Sequence, residues 1–172
     1  MFIRREKPAD AEGIRAVHAS AFAAIVEPGS TPVEVGLVDS LRDNDAWLPE
    51  LAFVALNGEE LIGHVICTRG HVAGKPALAL GPIGVRAQQQ RTGVGSALMY
   101  TVLGAADALG EPIVVLLGHT EYYPRFGFRL AAEFGITPPV PEWGPNFMAR
   151  ALTAYRPSIR GEFAYSEPFT NL

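Results

Sequence analysis

The chain has 172 residues, 48% of them hydrophobic, with a formal net charge of −4 and a single cysteine. These figures point to one globular domain over residues 1–172 with enough apolar side chains for a core, and they exclude a disordered chain. The acidic balance argues against nonspecific binding to nucleic acid or anionic membrane, and the lone Cys67 allows neither an internal disulfide nor a cysteine metal cluster.

The opening MFIRREKPAD has charge but no apolar stretch behind it, so no secretory signal is expected. No apolar run approaches the roughly 18 residues of a membrane span. The expected setting is therefore reducing and cytoplasmic.

In chain order, MFIRR reads as a short first strand. Ile14, Val17, Ala21, Phe22 and Ile25 then recur at spacings of three and four, the pattern of an amphipathic helix. After EPGS, the segment TPVE suggests a capping box, with Thr31 as N-cap, Pro32 at the first helical position and Glu34 two residues later. This box would open a second helix running through Leu41. The stretches 50–56 and 60–70 alternate around Asn57-Gly58, a hairpin signal, and KPALALGPIGV continues as a further strand. Positions 91–109 place Val94, Ala97, Leu98, Thr101, Val102, Ala105 and Leu109 on one helical face, closed by Gly110 and Pro112. The unbroken apolar PIVVLLG (112–118) predicts a fully buried strand, parallel to its predecessor through a right-handed crossover. TEYYPRF fits a short helix stopped by Gly127. ITPPVPEWGP reads as a loop, and NFMARAL and EFAYS as closing strands. The expected architecture is mixed α/β, with a mostly antiparallel sheet, one parallel pair and flanking helices.

The segment RAQQQRTGVGSALM (86–99) puts Gly93 and Gly95 where a strand hands over to a helix. A helix start carries unpaired N–H groups and partial positive charge, and glycines let an anion approach them closely. A glycine-tolerant cap without ligand fits the spacing equally well. No Lys follows either glycine, which excludes a P-loop. Leu98 holds the third position of a G-x-G-x-x-G, which excludes a dinucleotide fingerprint. Gly81-Pro82 inside ALALGPIGV predicts a bulge, because Pro cannot donate to a sheet ladder. A bulge there would make the strand diverge from PIVVLLG and open a cleft with free backbone amides above the phosphate site. Coenzyme A has the matching shape: a long amide-bearing arm ending in a diphosphate.

These residues carry a family resemblance. VRAQQQRTGVG (85–95) resembles the acetyl-CoA motif of the GCN5-related N-acetyltransferases (GNAT), a strand ending in Val followed by [Q/R]-x-x-G-x-[G/A], with Gln90, Gly93 and Gly95 at its fixed positions. YYPRFGF (122–128) resembles the family's later segment, a Tyr four residues before Gly-Phe. GHTEYYPRFGF and PVEVGLVDSLR are most similar to the YhbS-like branch. One departure is Ala87, at a position that is often Pro in the family.

The resemblance implies direct transfer of acetyl from acetyl-CoA to a primary amine of a small molecule or peptide. Backbone amides along Ile83, Gly84 and Val85 would bind the acetyl carbonyl and pantetheine arm, one N–H serving as an oxyanion donor. The loop Gln90, Arg91, Thr92, Gly93, Val94, Gly95 and Ser96 would hold the diphosphate, with Arg91 as a charge partner. Tyr123 would protonate the leaving thiolate. Four residues stand as candidates for the base: Glu34 on the second helix, His64 in LIGHVI, and His119 and Glu121 after the buried strand. Each has an ordinary structural alternative, and the sequence does not choose among them. Cys67 has no activating neighbour, and His18, His64, His71 and His119 show no i, i+4 pair, so neither ping-pong chemistry nor a metal is expected. The acceptor pocket is expected around residues 25–35, His64–Thr68 and Trp143. A monomer or a homodimer fits equally. A noncatalytic acyl-CoA-binding module is the alternative function.

Overall fold

The computed structural model describes residues 1–172. Nine strands form the sheet: β1 (Phe2–Arg5), β2 (Ala52–Asn57), β3 (Glu60–Val72), β4 (Lys75–Val85), β5 (Ile113–Leu117), β6 (Arg129–Leu130), β7 (Ile136–Thr137), β8 (Phe147–Ala151) and β9 (Gly161–Ala164). Their order is β1-β2-β3-β4-β5-β8-β6, with β9 pairing the far end of β3 and β7. Within the main run only β4 and β5 are parallel.

Helix α3 (Val94–Ala108) crosses one face, above the larger core. Leu98, Met99 and Val102 pack there with Phe53, Val65, Leu78, Val114 and Leu116. Each such fully buried Leu or Val contributes about 2 kcal/mol of transfer free energy. Helices α1 (Ala11–Phe22) and α2 (Val33–Arg42) sit over β2 and β3 through Ile14, Val38 and Val54, and through Leu37, Leu41 and Ile66. A further cluster, with Val72, Ile113, Val115, Phe147 and Phe163, closes the β5–β8–β9 end. The four-residue α4 (Glu167–Thr170) follows β9 and packs near α2.

Three local expectations are corrected. Pro32 is extended (ψ 142°), so α2 begins at Val33 with Pro32 itself as the N-cap. Thr31 lies one residue too early to cap it, and no capping box forms. Helix α1 ends at Phe22 and tightens into a 3₁₀ turn at Ala23–Ile25, which turns Ile25 outward to 73% exposure. The buried face of α3 is Val94, Leu98, Met99, Val102, Leu103 and Ala106, so Ala97, Thr101 and Ala105 lie to one side of it. That helix is apolar on nearly every side, and periodicity alone could not fix which stripe faces the sheet. Leu109, past the last turn, is exposed.

The irregularity at Gly81-Pro82 is real. Val65 pairs Ile83 and Cys67 pairs Leu80, so β4 carries one extra residue between them. Gly81 takes φ 144°, open to glycine, and is joined to Pro82 by a cis peptide.

Candidate active site

Beyond the bulge, β4 leaves its parallel partner. The two strands pair only at Leu78–Val114 and Ala79–Val115, although β4 runs on to Val85 and β5 to Leu117. A cleft of about 770 Å³ opens there. Its walls are Ile83 and Val85 from β4, Ala21 and Phe22 from α1, and His119, Tyr122, Tyr123 and Arg125 from the segment after β5. Its floor is Gln90, Arg91, Gly93, Gly95 and Ser96.

Alternation along β4 sets which amides face this cleft. The Arg86 N–H donates to Ile62 O across β3 at 2.9 Å, so the main-chain groups of Gly84 turn toward β3 as well. Those of Ile83 and Val85 turn toward the cleft. The Gln90 side chain donates to Val85 O (3.1 Å), tying the loop to the strand end. Thr92 Oγ1 donates to Gln89 O (2.6 Å) and braces the same turn. Gly93 is the N-cap of α3 in the left-handed region (φ 94°), where a side chain would be strained. The first α3 bond runs from Ala97 N to Gly93 O, which leaves the N–H groups of Val94, Gly95 and Ser96 free at the helix start. A Cβ at Gly95 would lie 3.1 Å from the Tyr122 hydroxyl, so the absence of a side chain keeps this corner open. Arg91 and Arg125 are the two arginines on the lining. Arg125 is held by its Nε–H to Tyr122 O (2.9 Å) and by stacking on the Tyr122 ring (4.6 Å). Dipole and charge both favour an anion here.

Tyr123 opens a 3₁₀ turn ended by left-handed Gly127 (φ 85°), and its ring packs edge-on against Tyr122 and Phe128. Burial, with Tyr122 adding to it, pushes its phenol up to about 12, so it keeps its proton at physiological pH.

The proposed site residues therefore divide. Ile83, Val85, Gln90, Arg91, Gly93, Gly95, Ser96, His119 and Tyr123 line one cleft. Val94 offers only its backbone, its side chain being buried in the core. Thr92 braces the loop without lining the cleft. Glu34 is half-buried on α2 and Glu121 is exposed, and neither reaches the lining. His64 is fully buried. Residues 25–35, His64–Thr68 and Trp143 do not line the cleft either; Trp143 packs on Tyr165. Cys67 is fully buried in the core, and burial pushes its thiol well above the usual range, so it is no nucleophile.

Sequence reasoning missed four lining residues and one buried residue beside them. Phe22 and Ala21 read as core face, and Tyr122 and Arg125 lay unremarked inside YYPRFGF. The buried residue is His18, on the apolar face of α1. Its ring stacks on Phe22 (5.9 Å between centroids) and its Nε2 lies 2.8 Å from His64 Nδ1. His64 Nε2 in turn lies 2.8 Å from Glu6 Oε2, and Arg42 Nε–H donates to Glu6 Oε1 at 2.6 Å. Burial alone would raise the Glu6 carboxyl. The hydrogen bonds from His64 and Arg42 outweigh it and hold the group below its usual range. Room for His18 comes from Gly84, where a Cβ would sit 2.8 Å from His18 Nδ1.

Comparison with known proteins agrees with this geometry. Residues 3–131 match the family described as an acetyltransferase (GNAT) domain. The chain belongs to the GNAT acetyltransferase family. It is 31% identical over 167 residues to the uncharacterized N-acetyltransferase YjhQ of Escherichia coli K12, covering 92% of this chain and 88% of YjhQ. The crystal structure of YhbS from Escherichia coli in complex with CoA superposes with a TM-score of 0.88 at 30% identity, over 98% of this chain and 91% of YhbS. A GNAT acetyltransferase from Brucella melitensis in complex with acetyl-CoA gives 0.78 at 30% identity, over 98% and 97% of the two chains. The expected mixed sheet with a splayed parallel pair is thus the family's fold. No helix is long and apolar enough to cross a membrane, and no group of three or more His, Cys, Asp or Glu side chains is placed to hold a metal ion.

Proposed function

We propose that the protein transfers an acetyl group from acetyl-CoA directly to a primary amine of a small molecule or peptide. The observation that carries this reading is the opening of β4 from β5 directly above the unpaired amides at the start of α3. The relatives crystallised with CoA and acetyl-CoA support the choice of ligand.

Ile83 and Val85 present cleft-facing main-chain groups that extend the sheet onto an amide-bearing arm, as a strand edge takes an extended peptide. An N–H among them polarises the thioester carbonyl and stabilises oxyanion charge as the amine attacks. The amides of Val94, Gly95 and Ser96, with Arg91 and Arg125, hold the diphosphate. The protonated Tyr123 phenol lies on the cleft wall, where it donates to the sulfur as thiolate charge develops. Its raised pKa makes full proton transfer uphill, so its contribution is a hydrogen bond that strengthens along the reaction.

The test is a panel of primary amines assayed for CoA thiol release from acetyl-CoA, run beside thermal denaturation with CoA. Stabilisation by CoA with thiol release on at least one amine is the expected result. Stabilisation without release on any amine would instead indicate an acyl-CoA-binding module.

A further inference from the structure

We propose that His18 Nδ1 accepts, through a water, the proton released by the acceptor amine, as the member nearest the cleft of a buried His18–His64–Glu6 relay; this rests on the acetyl-transfer reading above.

Charge fixes the protonation pattern of the chain. Glu6 is ionised, anchored by the Arg42 guanidinium at 2.6 Å, and can only accept. His64 must therefore donate to it from Nε2–H, which leaves His64 Nδ1 as an acceptor in the neutral ring. His18 must then donate Nε2–H to His64 Nδ1. What remains is the lone pair on His18 Nδ1. That atom is buried, belongs to a side chain of zero exposure, and has no hydrogen-bond partner in the protein. A buried acceptor left unpaired forfeits the hydrogen bond that water would give it, so it calls for an explanation.

Its position supplies one. Nδ1 is directed over Gly84, between Ile83 and Val85, whose main-chain groups face the cleft. Ala21 and Phe22, one turn further along α1, form the cleft wall beside it. Nδ1 itself is closed off from the cleft, so an amine attacking a carbonyl held at Ile83–Val85 from the α1 side reaches it through one water admitted beside Ala21 and Phe22.

The step balances. The amine nitrogen bonds to the thioester carbon, the C–S bond breaks, and the sulfur takes its proton from the Tyr123 side of the cleft or from solvent. The nitrogen proton goes to His18 Nδ1. His18 then passes its Nε2 proton to His64 Nδ1, and His64 passes its own to Glu6, so positive charge does not accumulate beside the cleft. Arg42 faces Glu6, with Asp39 on its other side, and Asp10 lies near enough to His64 to act on it. Burial, with His64 and Arg42 adding to it, pulls His18 down to about 3, so its lone pair stays open at any physiological pH. So weak a base suffices, because the nitrogen proton becomes strongly acidic as the C–N bond forms.

Two measurements on the full chain test this. Histidine ¹⁵N NMR from about pH 6 to about pH 8 should show Nε2 protonated and Nδ1 bare on both rings, with Glu6→Gln redistributing the tautomers. In the amine-panel assay, His18→Gln should lower kcat about 100-fold or more, with the acetyl-CoA KM held within about threefold. Glu6→Gln should lower kcat about tenfold by loosening the relay. A proton on His18 Nδ1 in the wild type overturns the relay even if the variants fail to fold. So does a His18→Gln variant that keeps wild-type kcat. A wild type that binds acetyl-CoA but acetylates no amine overturns the transfer reading and the relay with it, whereas an active wild type with an indifferent His18 overturns the relay alone.

Discussion

Ala79 and Val115 are the last residues at which β4 and β5 pair. From there the extra residue at Gly81-Pro82 steers β4 along β3, while β5 continues beside β8. The gap has the two edges a thioester arm needs: main-chain groups at Ile83 and Val85 that no neighbouring strand takes up, with Val85 O already accepting from Gln90, and a positively polarised helix start below them.

The first prediction concerns that helix start. Gly93→Ala meets no atom within 4 Å, so its effect comes from φ 94° alone. The strain should lower stability by about 1–2 kcal/mol, measured by urea unfolding. If the loop relaxes to relieve the strain, acetyl-CoA binding should weaken about tenfold by calorimetry, the loss of roughly one charge-assisted hydrogen bond. Unchanged affinity would detach the loop from the diphosphate.

Tyr123→Phe keeps the edge-on packing with Tyr122 and Phe128 but removes the donor. Turnover should fall about 100-fold with acetyl-CoA affinity kept within about twofold. Equal losses in both would show that the phenol serves binding, and no loss would remove it from the chemistry.

Acid should weaken the fold early. Unfolded His18 titrates near 6.5 but folded His18 near 3, so below about pH 6.5 the unfolded chain takes up a proton that the native state refuses. Stability therefore falls as pH drops, by about 2 kcal/mol between pH 6.5 and pH 5 from this residue alone. His64, also lowered by burial, acts in the same direction. Urea denaturation at the two pH values should show the wild type losing more than His18→Gln. Equal losses would mean that His18 is not held neutral by the fold.

Much of this was legible in the chain. Pro and Gly inside an otherwise apolar strand announced the bulge, since neither serves a ladder, and that bulge produces the cleft. Gln90, Gly93 and Gly95 act locally, within a few residues of the turn they shape, so their spacing carried their role. His18 was different. Its partners lie 46 residues away at His64 and, beyond that, at Glu6, a further 58 residues back along the chain, and no local pattern joins them. The stripe of α3 was misread for a related reason: when nearly every side of a helix is apolar, the sheet rather than the sequence period chooses the buried one.

A crystal structure of the protein with CoA tests the central claim most directly. The account predicts the pantetheine amides paired with the main chain of Ile83 and Val85 in the gap beyond Ala79, and the diphosphate on the N–H groups of Val94–Ser96. A diphosphate docked away from Gly93, or strands that close on each other when CoA binds, would contradict it.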